Sequence, residues 1–447
     1  MGSRAKSSHI GFALALSTAA AALGGLLFGF DTAVIAGTTQ ALTRYFHLTS
    51  VTLGATVSCA LWGTVAGCSV AAYPAERLGC RDSLRIVGLL YIVSALGCSL
   101  SHDWYVFMLF RFIGGLAIGG CSIFAPMYIA ETSPAAIRGK LVACFQLSIV
   151  IGILAAYSSN FAIDLMHLGS FEWRAQLGVA AIPSLLFFVA LAFIQRSPRW
   201  LVKKNRITEA QRSLKTFGFA DSATEIRRIQ ESLQLDSAKR GASILAPAYR
   251  RPLLIALALG LFNQLSGINA VLYYINDIFA QAGFASISAS GQSILVGISN
   301  LLFTFIGMAL IDHVGRKPLL LVGALGMAST LGGIAAIFLN GHHQALLLPL
   351  VIAYTGFFAA SQGTVVWVYL SEIFPNAVRN SGQSFASFWL WLVTAIIAGV
   401  YPTMAAASSG FSFLFFCAAM IVQFFVVLAF FPETKGRSLE EIPAGAR

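Results

Sequence analysis

Charge is scarce in this chain: 11% of its 447 residues are Asp, Glu, Lys or Arg, while 57% are hydrophobic. A soluble domain carries about 25% charged residues, so a surface of this size would lack polar cover in water. That excludes a soluble enzyme, a disordered tail protein and a nucleic-acid binder. Catalytic signatures are missing too. No GxxxxGK[ST] run occurs, so no P-loop couples the protein to ATP, and neither HExxH nor GxSxG is present. The seven cysteines (Cys59, Cys68, Cys80, Cys98, Cys121, Cys144 and Cys417) are odd in number, lie mostly in apolar runs and form no CxxC pair. Packing accounts for them; no redox site, metal or cofactor is expected, and no enzyme activity. The absence of any Asn-x-Ser/Thr sequon leans toward a bacterial source.

Long apolar segments fill the space that charge leaves. They run at roughly 10–37, 53–74, 85–101, 104–130, 141–163 and 175–194, and resume at roughly 251–280, 291–311, 318–340, 346–371, 381–406 and 409–431, each of spanning length. Arg4 and Lys6 ahead of an Ala-rich stretch would also suit a signal peptide. The first apolar run continues through GGLLFGFDTAVIAG, however, beyond the length of an h-region, so it counts as a helix. The pattern predicts an all-α membrane protein of twelve transmembrane helices. They form a six-helix bundle at 1–195 and another at 251–447, with a short tail. Residues 196–250 are a polar linker in which patches such as ITEAQRSLKTF predict short amphipathic helices.

The net charge of +11 is a matter of topology. Residues 196–251 hold 13 of the 29 basic residues. Basic residues mark the cytoplasmic side. With the linker and both termini inside, 26 of the 29 face the cytoplasm; Arg44 and Arg174 fall outside and Arg111 lies within a helix. A multi-pass protein of the cell membrane follows, without a nucleic-acid partner, and a monomer is expected.

The halves echo each other. AETSPAAIRG at 130–139 matches SEIFPNAVRN at 371–380, which sets Glu131 against Glu372 and Arg138 against Arg379 at an offset of 241. RLGCRDSL (77–84) pairs with HVGRKPLL (313–320), and SPRWL echoes PETKG, at offsets of 236 and 234. Three echoes in one order indicate a six-helix unit duplicated in parallel, the construction of transporters whose two bundles rock about a central site.

Three constellations could carry chemistry. Asp31 and Arg111 sit inside apolar helices, where an isolated charge costs about 2.5–3.5 kcal/mol on insertion scales. Counting at 1.5 Å per residue puts both about 10 Å outward of the midplane, so an ion pair is possible. It would be either a permanent structural pair or a proton switch, in which protonation of Asp31 releases Arg111. At the cytoplasmic helix ends, Glu131, Arg138, Glu372 and Arg379 accompany Arg77, Arg81, Asp312, Arg316 and Lys317, as solvated charges or as a latch between the bundles. Buried amides form the third set: Gln146, Asn263, Gln264, Asn269 and Asn300. Each offers donors and acceptors, as a polyhydroxylated ligand requires, and Tyr273, Trp367 and Trp391 supply flat faces for a sugar ring. Interhelical hydrogen bonds are the alternative for any one amide. Gly267 among them suggests a helix that breaks or bends.

In order along the chain, GGLLFGFDTAVIAG, RFIGG, PMYIAETSPAAIRGKL, SPRWL, NQLSGINAVLYYINDIF, DHVGRKPLL, VYLSEIFPNAVR and PETKGRSLEE resemble the sugar porter family of the major facilitator superfamily over nearly the whole length. The pattern is similar to its bacterial proton-coupled xylose and hexose symporters. The resemblance implies that Asp31 is the acid that distinguishes proton symporters, with Arg111 its partner. It also implies a sugar site at Gln146, Gln264, Asn269, Tyr273, Asn300, Trp367 and Trp391, and a cytoplasmic network of Arg81, Glu131, Arg138, Arg316, Glu372 and Arg379. The sequence departs from the family at Asn263, one methylene short of the usual Gln, and at Leu390, where an Asn or Gln usually contacts sugar. Thr364 replaces a Pro, Cys80 an Arg, and Gln195-Arg196 a Pro-Glu pair; the last two replacements thin the network. The expected function is secondary active import of a monosaccharide, hexose or pentose, with a proton. A facilitative uniporter or an inositol/polyol symporter is the alternative, and a membrane sugar sensor without transport a more distant one.

Overall fold

The computed structural model describes residues 11–134, 137–219, 221–238, 244–375 and 378–435. Among these residues every regular element is a helix. The spanning helices are α1 (Phe12–Gly37), α2 (Ser50–Val70), α3 (Cys80–Leu100), α4 (Trp104–Thr132), α5 (Arg138–Asp164), α6 (Gly169–Ala190), α7 (Pro247–Tyr273), α8 (Ser288–Val314), α9 (Arg316–Asn340) and α10 (Gln344–Leu370). A last apolar stretch, Ser381–Phe430, is two helices run together. Ser408 leaves the helical region there (φ −170°, ψ 117°) and divides α11 from α12. Side chains such as Phe193, Phe411, Phe425 and Val322 are more than half exposed on the outside of the barrel of helices. Such a belt is stable only against hydrocarbon, and this is a multi-pass membrane protein.

The predicted repeat reappears as repeated packing. In the first half α1 lies on α5 so closely that a methyl at Gly29 would collide with the Ile149 carbonyl. In the second half α7 lies on α11, where Trp389 Nε1 donates to Leu257 O at 3.0 Å. Helix α2 meets α4 through Cys68 and the Gly119 carbonyl, and α8 meets α10 through Ser299 and Ile352. Helix α3 meets α6 where Ser99 donates to Arg174 O, and α9 meets α12 where Cys417 approaches Ala328 O. The neighbours in one half are thus those in the other, six helices later. The halves touch along α2 and α11, at Gly54 and Gly399, and along α5 and α8, where Gly297 faces Leu154 and Tyr157. The second contact is the first under the same repeat.

Between α6 and α7 come the linker helices Pro198–Lys203, Ile207–Thr216 and Ser222–Ala238. They bury Leu201, Val202, Ala210, Leu214 and Ile226 among themselves. Trp200 Nε1 donates to Glu76 O and Lys203 pairs with Glu76, which ties them to the turn between α2 and α3. The end of the molecule they cover is called the linker face below, and the opposite end the far face.

Three of the spanning helices are interrupted. Helix α7 stops at Leu265, turns at Gly267 with φ +82°, and resumes as Ile268–Tyr273 and Ile275–Gln281. A side chain at Gly267 would be strained, and a Cβ there would stand 2.6 Å from the Phe416 ring. Helix α10 breaks at Ser361, where Thr364 Oγ1 donates to the carbonyl of Ala359. The break therefore survives without the proline that the family resemblance leads one to expect. In α6 the helix is resolved as Glu172–Gly178 and Ala181–Ala190.

Candidate functional site

Asp31 and Arg111 meet. Arg111 Nη1 lies 3.1 Å from Asp31 Oδ1, with both side chains largely removed from solvent. The pair is held at a single point. Asp31 Oδ2 and Arg111 Nε are both buried without a hydrogen-bond partner. A bidentate carboxylate–guanidinium pair would satisfy both atoms and be much harder to part. This one keeps a free carboxylate oxygen, the position a proton would take.

The surroundings of the pair come from both halves. One turn before Thr32 on α1, Phe28 packs its ring 5.4 Å from that of Trp391 on α11. Thr32 donates to Phe28 O at 2.8 Å, and Tyr273 stands beside Thr32. Tyr273 is buried and stands close enough to Asp31 and Arg111 to feel both charges. The same face of α1 thus carries the acid and two contacts to the opposite half.

Tyr273 ends the helical segment that begins just after Gly267, and the amides flank that break. Gln264 Nε2 donates to Asn263 Oδ1 at 2.8 Å, and Asn269 Nδ2 donates to Gln264 Oε1 at 2.7 Å. The chain Asn263–Gln264–Asn269 crosses the break with its side chains, where the backbone turns out of helix. Asn263 and Gln264 are buried, as is Asn300 on α8, while Gln146 on α5 is partly buried. Trp391 is 6% exposed and Trp367 40%, so of the two tryptophan candidates Trp391 is the one already enclosed. Leu390 is buried as an apolar side chain.

On the linker face the two halves have solved one problem differently. Arg316 grips Glu372 with two parallel bonds, Nε to Oε2 at 3.1 Å and Nη2 to Oε1 at 2.8 Å, and also pairs with Asp312. Thr434 donates to Glu372 as well. The carboxylate of Glu433 accepts from the backbone N–H groups of Arg316 and Lys317, closing the start of α9. In the first half, Cys80 approaches Glu131 at 3.9 Å, and Arg81 pairs with Asp82. Asp82 also receives Arg85 and Arg196. Arg196, one of the departures from the family pattern, joins the network through Asp82. Arg138 is exposed, and the side chain of Arg379 lies outside the described residues.

On the far face hydrogen bonds join the halves. Tyr157 on α5 donates to Leu272 O at 2.9 Å, and Ser290 on α8 donates to Asp164. Gln176 donates to the other oxygen of Asp164 at 2.6 Å. These residues were not among the sequence candidates. Asp164 and Ser290 lie 126 residues apart with no motif to link them.

A broken helix bearing amides, a buried acid–base pair beside it and two repeated halves are the architecture of a membrane transporter. The sequence matches the model of the sugar (and other) transporter family over residues 17–445, and the chain belongs to that family. It is 34% identical to the arabinose-proton symporter of Bacillus subtilis, covering 98% of this chain and 96% of the relative. It is 36% identical to the D-xylose-proton symporter of Escherichia coli K12, covering 96% and 94%. Among solved structures, the inward open conformation of the E. coli xylose transporter XylE superposes with a TM-score of 0.85 at 34% identity, covering 96% of this chain and 99% of that one.

Proposed function

We propose that this protein imports a monosaccharide, a pentose or hexose, together with a proton by alternating access. The observation that carries the proposal is the single-point Asp31–Arg111 pair set against Tyr273, on the helix that bears the amide chain. Sugar binds between the halves. Gln264, Asn269, Asn263, Gln146 and Asn300 exchange hydrogen bonds with its hydroxyls, and Tyr273, Trp391 and Trp367 offer flat faces. A neutral ligand with many hydroxyls needs donors and acceptors together, which amides supply and an ion-binding site would not.

A proton taken by Asp31 at Oδ2 removes the charge that holds Arg111. The contacts of Tyr273 and Thr32 then change with it, and the segment after Gly267 is free to move against α1. Residues 1–195 and 251–447 act as the two rocking units, with 196–250 as the bridge. Arg81, Glu131, Arg138, Arg316, Glu372 and Arg379 form the network that steadies the linker face. The basic linker places that face and both termini in the cytoplasm, and the protein, a monomer, in the cell membrane. Bonds between the halves at the far face, and likeness to an inward open relative, support a state closed to the outside.

Uptake into proteoliposomes of D-xylose, L-arabinose and D-glucose, each with and without a pH gradient, tests the reading. Accumulation above equilibrium that collapses when the gradient is dissipated is the expected result. Uptake of a sugar that only equilibrates would make the protein a uniporter.

A further inference from the structure

The far face carries a cavity of about 500 Å³ that the proposed transport cycle does not use. It lies where the halves meet, between Thr39, Gln40 and Arg44 of the first and Tyr274, Asp277 and Tyr401 of the second. Its volume is within the range of small-molecule sites, about 300–1,000 Å³. Two of its polar atoms are left over. Asp277 Oδ2 and Thr39 Oγ1 are buried with no hydrogen-bond partner, although Asp277 sits beside Thr39 and Gln40. Asp277 and Thr39 thus face each other across the seam between the halves, and the carboxylate has lone pairs to spare for a hydroxyl.

The lining says what would fit. Arg44 at the exposed rim and the Asp277 carboxylate cancel in charge, so neither a cation nor an anion is favoured. Gln40 offers a donor and an acceptor, Asp277 an acceptor, Arg44 donors. Tyr274 and Tyr401, with ring centroids 5.3 Å apart, are buried and close the cavity with aromatic surface. We infer that this cavity is a second binding site for a neutral polyol of monosaccharide size, distinct from the central one. This rests on the reading of the protein as a sugar carrier. Because both halves supply its walls, the site exists only while the far face is closed. Its occupant bridges Gln40 and Asp277 and holds that face shut. High sugar on the far side therefore delays the return of the empty carrier.

Binding of D-xylose, L-arabinose and D-glucose to the full-length protein in nanodiscs, measured by calorimetry, tests this. For the transported sugar two equivalents per chain are expected. The weaker should be lost, or reduced at least about tenfold, in Asp277→Asn, which removes the charged acceptor. Ala405→Trp, which fills the cavity from its α11 wall and leaves the Asp277 side chain in place, should remove the same equivalent. Gln264→Ala should instead strike the tighter one. A single equivalent in the unaltered protein overturns the second site and leaves the transport reading standing. So does a weaker equivalent that survives both Asp277→Asn and Ala405→Trp. No binding of any of the three sugars overturns both.

Discussion

Tyr273 and Asp31 come from opposite halves of the protein and lie near each other, with Tyr273 beside Thr32, the residue after the acid. The tyrosine ends a helical segment whose other end carries Asn269, bonded to Gln264 across the break at Gly267. A change of charge on Asp31 is therefore felt four residues from the amide chain. Asp31→Asn should abolish accumulation driven by a pH gradient while sugar counterflow persists, since Asn keeps the shape and loses the proton. Full uphill uptake by this variant would sink the proton switch.

Arg111 tests the same pair from the other side. Arg111→Leu leaves the Asp31 carboxylate buried without its cation, and breaking a buried pair this way costs about 3–5 kcal/mol. The variant should melt well below the parent in detergent. Asp31→Asn/Arg111→Leu, with no charge left unpaired, should regain most of that loss. A double variant as unstable as Arg111→Leu alone would show that the arginine acts through packing and not through the pair.

Much of this arrangement was legible in the sequence. Charge is so rare in the spans that Asp31 and Arg111 stand out by composition, and helix rise alone placed them at one depth. The repeat could be read because its loop motifs, such as the Glu131 and Glu372 stretches, recur at nearly one offset. Contacts between halves could not be read. Ser290 and Asp164, or Tyr157 and Leu272, are brought together by how two bundles lean, and no spacing encodes that lean. The fate of Arg196 was hidden for another reason. Comparison with a family pattern registers a lost acid, whereas the structure shows the new arginine finding Asp82, a residue the pattern had not singled out.

The break in α7 depends on one residue. At φ +82° an L side chain is strained, and at Gly267 it would also press on Phe416. Gly267→Ala should destabilise the protein by about 1–3 kcal/mol and lower transport more than sugar affinity, because the hinge suffers while Gln264 and Asn269 remain. Thermal unfolding with and without sugar separates the effects; a variant that moves sugar at the parental rate would show that the hinge lies elsewhere.

Acid should loosen the start of α9. Burial works against the charge of Glu433, but the N–H groups of Lys435, Arg316 and Lys317 outweigh it and hold its carboxyl below the ordinary glutamate range. A carboxyl depressed in the folded state contributes stability above its unfolded value, and that contribution fades as pH falls through the folded one. Glu433→Gln should therefore lower the melting temperature at neutral pH and make progressively less difference below about pH 4.5. A gap between variant and parent that is constant from pH 7 to pH 4 would refute the assignment.

Gln264 is the keystone of the amide chain, donating to Asn263 and accepting from Asn269 at once. Its neighbours would lose both bonds in Gln264→Ala, and a sugar hydroxyl would lose its partner. A site built to hydrogen-bond a hydroxyl suffers heavily when one side of that bond is removed, so sugar affinity should fall about 100-fold or more. Gln264→Glu keeps the length and the acceptor but adds a buried charge next to Asn269. It should bind no better than the alanine variant at neutral pH. Calorimetric titration of both variants against the parent decides the point, and parental affinity in Gln264→Ala would remove the amide chain from the sugar site.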